Sequence, residues 1–166
     1  MTDVIEIRAA AAGDAVAVLG VLEPVIRAGE TYALPRDMKR EDLLAWWMSP
    51  PHEVYVAVNA GRVLGTYFIA PNQRGGGSHV ANCGYVTGVE ATGCGVARAM
   101  CAHSLELAKE QGYRAMQFNF VVSTNVRAVR LWESFGFETV GRLPGAFLHP
   151  DHGFVDALVM YRLEEA

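Results

Sequence analysis

The stretch that constrains this chain most runs Val89-Glu90-Ala91-Thr92-Gly93-Cys94-Gly95-Val96-Ala97. It follows a strand-like run over His79–Val89 and opens a helix over Gly95–Gln111, whose apolar stripe is Ala97, Met100, Cys101, Leu105 and Ala108. Gly93, Gly95 and the small Ala97 leave little side-chain bulk at the bend, so a ligand can lie on the backbone. The first N–H groups of a helix have no partner within it, and the positive end of its dipole points the same way. Such a bend suits an anion of the pyrophosphate kind. Glycine also shapes many turns that bind nothing, so a second signal is needed.

The rest of the chain supplies an element order of β-α-α-β-β-β-α-β-α-β-β. Val4–Arg8 is a short strand. A helix runs from Gly13-Asp14 to Arg27 and is interrupted or bent at Pro24; a second covers Asp37–Met48 and stops before Pro50-Pro51. Glu53–Asn59 and Arg62–Ala70 flank Ala60-Gly61 as a hairpin. Ala115–Val122, Phe137–Gly141 and Phe154–Arg162 are the later strands, Thr124–Phe135 the last helix, and Leu143–His152, with Pro144, Gly145 and Pro150, a loop. These alternations predict an α/β (α+β) domain over residues 1–166, with a mixed sheet flanked by helices.

The second signal lies in Asn119-Phe120-Val121-Val122-Ser123-Thr124-Asn125, where a strand ends, and in the helix that follows through Ala128, Leu131 and Trp132 to Gly136-Phe137. The two segments together resemble the acetyl-CoA-dependent N-acetyltransferases of the GNAT superfamily. Gly95 and Ala97 match the family's loop, and Asn125, Ala128, Leu131, Gly136 and Phe137 match its later signature. Thr92 stands where the family has arginine or glutamine, and Trp132 replaces its tyrosine. The resemblance implies a mostly antiparallel sheet splayed between the fourth and fifth strands, with acetyl-CoA entering the splay. It also implies a homodimer, with the final strands as contact edges.

For the cofactor, the resemblance points to the backbone of Thr92, Gly93, Cys94, Gly95, Val96 and Ala97, with Arg98 one turn on, Asn125 toward the pantetheine or phosphate arm, and Trp132 lining the channel. Backbone N–H groups near Val86 or Thr87 would polarise the thioester. Indole N–H cannot protonate a thiolate at neutral pH, so Trp132 does not inherit the tyrosine's role. Asn82 and Asn119 each sit in an otherwise apolar strand, where a buried amide left unpaired costs about 1–3 kcal/mol. With Asn125 they resemble fungal N-acetyltransferases of proline analogues such as azetidine-2-carboxylate, which implies that Asn82 holds an acceptor carboxylate and Asn119 shapes the reacting centre. Glu30, Thr31 and Tyr32, in the loop after the first helix, and Phe147 complete the expected acceptor site. No general base stands out among Glu30, His79 and Glu90, because Phe120 occupies the place where some relatives carry glutamate.

A net charge of -4 argues against a nucleic-acid binder. No apolar run is long enough for a bilayer span, and Met1-Thr2-Asp3-Val4 lacks the features of a signal peptide, so a cytoplasmic protein is expected. Cys83, Cys94 and Cys101 have neither disulfide-framework nor zinc-ligand spacing, so no metal is expected. The reading that follows is acetyl transfer to a small-molecule amine, an amino acid or analogue. Transfer to a protein or peptide amine is the alternative within enzymes. The departures at Thr92 and Trp132 also fit an idle acyl-CoA-binding module.

Overall fold

The computed structural model describes residues 4–165. Its strands are β1 (Glu6–Ala9), β2 (Glu53–Asn59), β3 (Arg62–Pro71), β4 (Val80–Thr87), β5 (Ala115–Val122), β6 (Glu138–His149) and β7 (Gly153–Leu163), and its helices are α1 (Ala15–Ala28), α2 (Arg40–Met48), α3 (Val96–Glu110) and α4 (Val126–Ser134). The seven strands form one sheet in the order β1-β2-β3-β4-β5-β7-β6. Every neighbouring pair is antiparallel except β4 and β5.

Period-two alternation divides the sheet between two cores. Val56, Phe68 and Val86 pack under α1 and α2 with Leu22, Ile26, Leu43 and Trp47. Tyr67, Ile69, Cys83, Met116 and Phe118 pack on the opposite face with Met100, Cys101 and Leu105 of α3 and Trp132 of α4. β3 is buried on both faces from Gly65 to Ala70, which explains an apolar run interrupted at Thr66, whose hydroxyl gives its hydrogen to the Tyr55 carbonyl at 2.8 Å.

α1 runs through Pro24 as a single helix and ends at Gly29, whose φ of 68° is left-handed. A Cβ at Gly29 would lie 2.5 Å from the Arg36 side chain. That close approach lets Arg36 Nε donate to the Arg27 carbonyl at 2.8 Å, capping the helix C-terminus. Arg27 in turn donates to the Met38 carbonyl at 2.6 Å and to the Arg36 carbonyl. The two arginines therefore fix the loop between α1 and α2, which carries Glu30, Thr31 and Tyr32.

The expected loop over Leu143–His152 is not one. β6 continues through it to His149, paired with β7 at Leu143↔Ala157 and again at Phe147↔Val155. Between those pairs the strand bulges, with Gly145 at a φ of 59°. Pro144 is tolerated because β6 is an edge strand, where a missing donor breaks no central ladder. Asp156 of β7 fills the bulge, accepting from Gly145 N–H at 2.9 Å and from Arg142 at 2.6 Å. No helix among the described residues is long and apolar enough to cross a membrane.

Candidate active site

The site begins where two strands part. β4 and β5 pair only at Val80↔Ala115 and Ala81↔Met116. At the fork, Asn82 Nδ2 donates to the Gln117 carbonyl at 2.9 Å, and beyond it the strands diverge. The even residues of β4 bond toward β3: Gly88 N–H reaches the Leu64 carbonyl at 2.7 Å, and the Val80 carbonyl accepts from Asn72 at 2.8 Å. The odd residues face β5: the His79 carbonyl accepts from Arg114 N–H, and the Tyr85 carbonyl accepts from the Tyr32 hydroxyl at 3.0 Å. By this alternation the N–H groups of Tyr85 and Thr87 point into the gap. Val86 N–H belongs to the β3 ladder, so of the two residues expected to polarise a thioester, Thr87 faces the gap and Val86 contributes its side chain to the wall.

At the top of the gap lies the glycine bend that leads into α3. Gly93 and Gly95 adopt φ of 82° and 80°, which only glycine takes without strain. Gly95 is the N-cap of α3 and has no side chain to offer, so the N–H groups of Val96, Ala97 and Arg98 lack intrahelical partners. Cys94 differs from the expectation: its N–H is bonded back to the Ala91 carbonyl at 3.2 Å, and its side chain is not on the cavity wall. Arg98 is exposed, with its guanidinium 5.5 Å from the Phe135 ring centre. The cation best placed over the bend is Arg127 of α4, 3.3 Å from where a Gly93 Cβ would stand. Arg98, Arg127 and Arg130 all line the cavity, so α3 and α4 both bring positive charge to a wall where Thr92 brings none.

Asn125 occupies the N-cap position of α4, yet its side chain makes no capping bond and lines the cavity instead. Trp132 is buried, its ring 4.9 Å from Tyr85 and 5.0 Å from Phe118, and it forms the channel floor. Tyr85 cannot stand in for the family's tyrosine. The Ser104 hydroxyl donates to the Cys101 carbonyl, so the Tyr85 hydroxyl hydrogen is committed to Ser104 Oγ at 2.6 Å.

On the opposite side of the gap the wall is aromatic. Tyr32, Trp46, His52, Phe68 and Phe120 surround Asn82 and Gly84. The Tyr32 hydroxyl stands 3.0 Å from where a Gly84 Cβ would be, and the Phe68 ring 2.5 Å. Burial raises the Tyr32 phenol well above its usual range, so it stays a neutral donor. Asn119 is exposed rather than buried; its amide is held at both ends, accepting from Gln117 at 2.8 Å and donating to Asn72 at 2.6 Å. Phe147 is buried behind Phe120, ring centres 6.2 Å apart, and is not part of the cavity wall. Glu30 and Thr31 line the cavity, whereas Glu90 is exposed and paired with Arg62 at 2.9 Å, and His79 lies off the wall. Together the two sides enclose one continuous cavity of about 1070 Å³.

His52 is the group that sequence reasoning passed over. It lies between Pro51 and the first residue of β2, on the same face as Val54 and Val56, and so reads as a strand flank. Its signal was positional: an ionisable ring continuing an apolar alternation.

The cradle, the gap and the acceptor wall have counterparts in known proteins. A model of the Acetyltransferase (GNAT) family matches residues 23–137. N-acetyltransferase aca1 of Schizosaccharomyces pombe is 33% identical over 98 residues, covering 58% of this chain and 47% of that protein, so the chain spans about half the length of this curated relative. A GCN5-related N-acetyltransferase from Kribbella flavida superposes with a TM-score of 0.92 at 41% identity, covering 96% of this chain and 98% of that one. The yncA structure from Salmonella typhimurium, solved with its cofactor acetyl-CoA, shares the fold at 20% identity and a TM-score of 0.84, covering 98% of this chain and 96% of that one. With both sequence motifs standing on one splayed sheet, and with that family match, the chain belongs to the GNAT acetyltransferase family.

Proposed function

We propose that this chain transfers acetyl from acetyl-CoA to the amine of a small molecule, an amino acid or amino-acid analogue. The observation that carries the proposal is the single cavity joining the α3 cradle to the aromatic acceptor wall through the β4–β5 gap. The glycine bend fits the coenzyme's diphosphate: the N–H groups of Val96, Ala97 and Arg98 that follow it are bare, and a Cβ at Gly93 would crowd Arg127. The coenzyme brings an activated thioester. Tyr85 and Thr87 N–H groups stand where a developing oxyanion could be stabilised. Asn125 and Trp132 line the path between cradle and gap.

Two features favour a small acceptor. The loop carrying Glu30–Leu34 folds onto β4 and is tied there by the Tyr32 hydroxyl on the Tyr85 carbonyl. The acceptor wall also carries amides rather than a row of charges, and Asn82 keeps its carbonyl oxygen free of any hydrogen bond among the described residues. An amino-acid acceptor such as azetidine-2-carboxylate has an amine N–H to give to this oxygen, while the second Nδ2 hydrogen of Asn82 is the donor left for its carboxylate. The absent tyrosine at position 132 is no obstacle, since a thiol pKa of about 8.5 makes thiolate a tolerable leaving group.

The test is incubation with acetyl-CoA and a panel of free amino acids, cyclic imino acids, polyamines and N-terminal peptides, following free thiol. Turnover confined to free amino or imino acids is the expected result. Turnover of peptides alone would replace the acceptor assignment. Binding of acetyl-CoA with no turnover across the panel would leave an idle acyl-CoA-binding module.

A further inference from the structure

The acceptor wall holds one ionisable ring placed to take a proton. His52 Nδ1 lies 3.0 Å from the Trp47 carbonyl, an oxygen that can only accept. Nδ1 therefore carries the hydrogen, and the lone pair of the neutral ring is on Nε2. Nε2 makes no hydrogen bond among the described residues and is not sealed from solvent. The ring itself cannot swing away. It stacks on Phe68 with centres 3.8 Å apart and planes 9° from parallel, and Trp46 meets it edge-on at 5.3 Å.

Register places His52 relative to the fork. Glu53 pairs with Ile69, so His52, one residue earlier, stands across from Ala70, and Ala70 pairs with Asn82. His52, Ala70 and Asn82 thus form one row on the acceptor face. The middle residue carries only a methyl group, and the imidazole and the amide on either side of it both line the cavity. Two strand spacings put the outer Cα atoms about 10 Å apart, enough for an acceptor the size of an amino acid.

Resting on the acetyltransferase reading above, we propose that His52 is the proton acceptor of the reaction: its Nε2 takes the proton from the acceptor nitrogen, directly or through one water. The balance is complete with the two substrates. The ammonium gives its proton to Nε2, and the freed amine forms the N–C bond to the acetyl carbon. The C–S bond breaks with its electron pair on sulfur, and the thiolate takes the second nitrogen proton. Imidazolium then releases its proton to water through the cavity mouth.

Surroundings favour the neutral ring. Burial holds the His52 imidazole below its usual range. Trp46 and Trp47 from α2 and Phe68 from β3 pack against it without charge, and Tyr32 is a neutral phenol. The acidic member of the acceptor wall is Glu30, exposed on its loop, while Glu53 is turned to Gln111 at 2.8 Å.

The test uses the full chain with acetyl-CoA and azetidine-2-carboxylate, or whichever panel amine turns over faster. His52→Asn keeps a donor for the Trp47 carbonyl and removes the base. Its kcat should fall about 100-fold, with KM for acetyl-CoA changed by less than about twofold. The acidic limb of the wild-type pH profile, lying below the ordinary imidazole range because burial disfavours the charged ring, should vanish in the variant. Added imidazole should restore part of the activity of His52→Ala, whose stacking slot on Phe68 is left vacant. An unchanged pH limb with kcat within about threefold of wild type overturns the assignment while leaving the acetyltransferase reading intact. So does a ¹⁵N spectrum of the imidazole showing the hydrogen on Nε2. A wild-type chain that acetylates no panel amine overturns the function reading and the His52 assignment together.

Discussion

Gly84 shows how one missing side chain opens a site. It faces the acceptor side of β4, and a methyl group there would lie 2.5 Å from the Phe68 ring and 3.0 Å from the Tyr32 hydroxyl. Phe68 cannot yield, because Trp46, Trp47 and His52 pack against it with ring centres at 5.9, 5.0 and 3.8 Å. Tyr32 can yield only by giving up its bond to the Tyr85 carbonyl. Overpacking of this kind costs about 1–3 kcal/mol. Gly84→Ala is therefore expected to lower the denaturant midpoint and to raise acceptor KM about tenfold, while acetyl-CoA affinity measured by calorimetry stays near wild type. A variant with unaltered acceptor KM would show that the acceptor does not use this wall. Little of this was legible in the chain. Asn82 and the glycines of the bend could be singled out because polar or flexible residues contrast with apolar neighbours. Gly84, Phe68 and His52 look like ordinary strand residues until the register of β2, β3 and β4 sets them side by side.

Among the elements, the strands and helices up to α4 follow from periodicity and from punctuation by glycine and proline. The failure at Leu143–His152 has a definite cause. Proline and glycine signal a turn when an isolated stretch is considered, but an edge strand can absorb both in a bulge if a neighbour satisfies the freed backbone, and Asp156 does so. That partner lies beyond any local window. Arg127 was missed for a related reason: on α4 it is one exposed arginine among several, and only packing of α4 beside the α3 bend brings it to the cavity wall over Gly93. The joint between β1 and α1 yields a pH prediction. Arg8 donates to both carboxylate oxygens of Asp14 at 2.8 and 3.0 Å, and Ala11 N–H adds a bond at 2.7 Å. These bonds, the Arg8 pair first, hold the Asp14 carboxyl at about 2. A depressed carboxyl stabilises the fold above its ordinary pKa, near 3.8, and that contribution is lost as pH falls through about 2. Solvent screening keeps it modest. In Asp14→Asn, Tm at neutral pH should drop, and the difference from wild type should shrink as pH falls from about 4 to 2. A difference that is constant over this range would mean the Arg8 pair carries none of the acid sensitivity.

At the scale of the molecule, the sheet has a weak seam between β4 and β5. On one side of it, β1 to β4 carry α1 and α2; on the other, β5, β7 and β6 continue the sheet. Two β4–β5 ladder positions and the Asn82–Gln117 bond join the strands, and α3 and α4 share one core across the seam. A ligand seated in the gap would touch α3, α4, β4 and β5 together, and so tie the halves wherever it binds the folded chain alone. At a concentration one hundred times Kd, such binding stabilises by about 2.7 kcal/mol. For a domain of this size each kcal/mol moves Tm by roughly 2–4 °C, so saturating acetyl-CoA should raise Tm by about 5–10 °C. Arg127→Ala should reduce that shift, and more so at low ionic strength, where a cation near a diphosphate is least screened. His52→Asn should leave it intact, since His52 is on the acceptor wall. The same ligand should slow amide exchange at Tyr85, Thr87 and Val96–Arg98 more than in β1 or β6, because only the former border the gap and the cradle. Protection spread evenly over the sheet would place the coenzyme somewhere other than between β4 and β5, and no change in Tm would mean that the folded chain does not bind it.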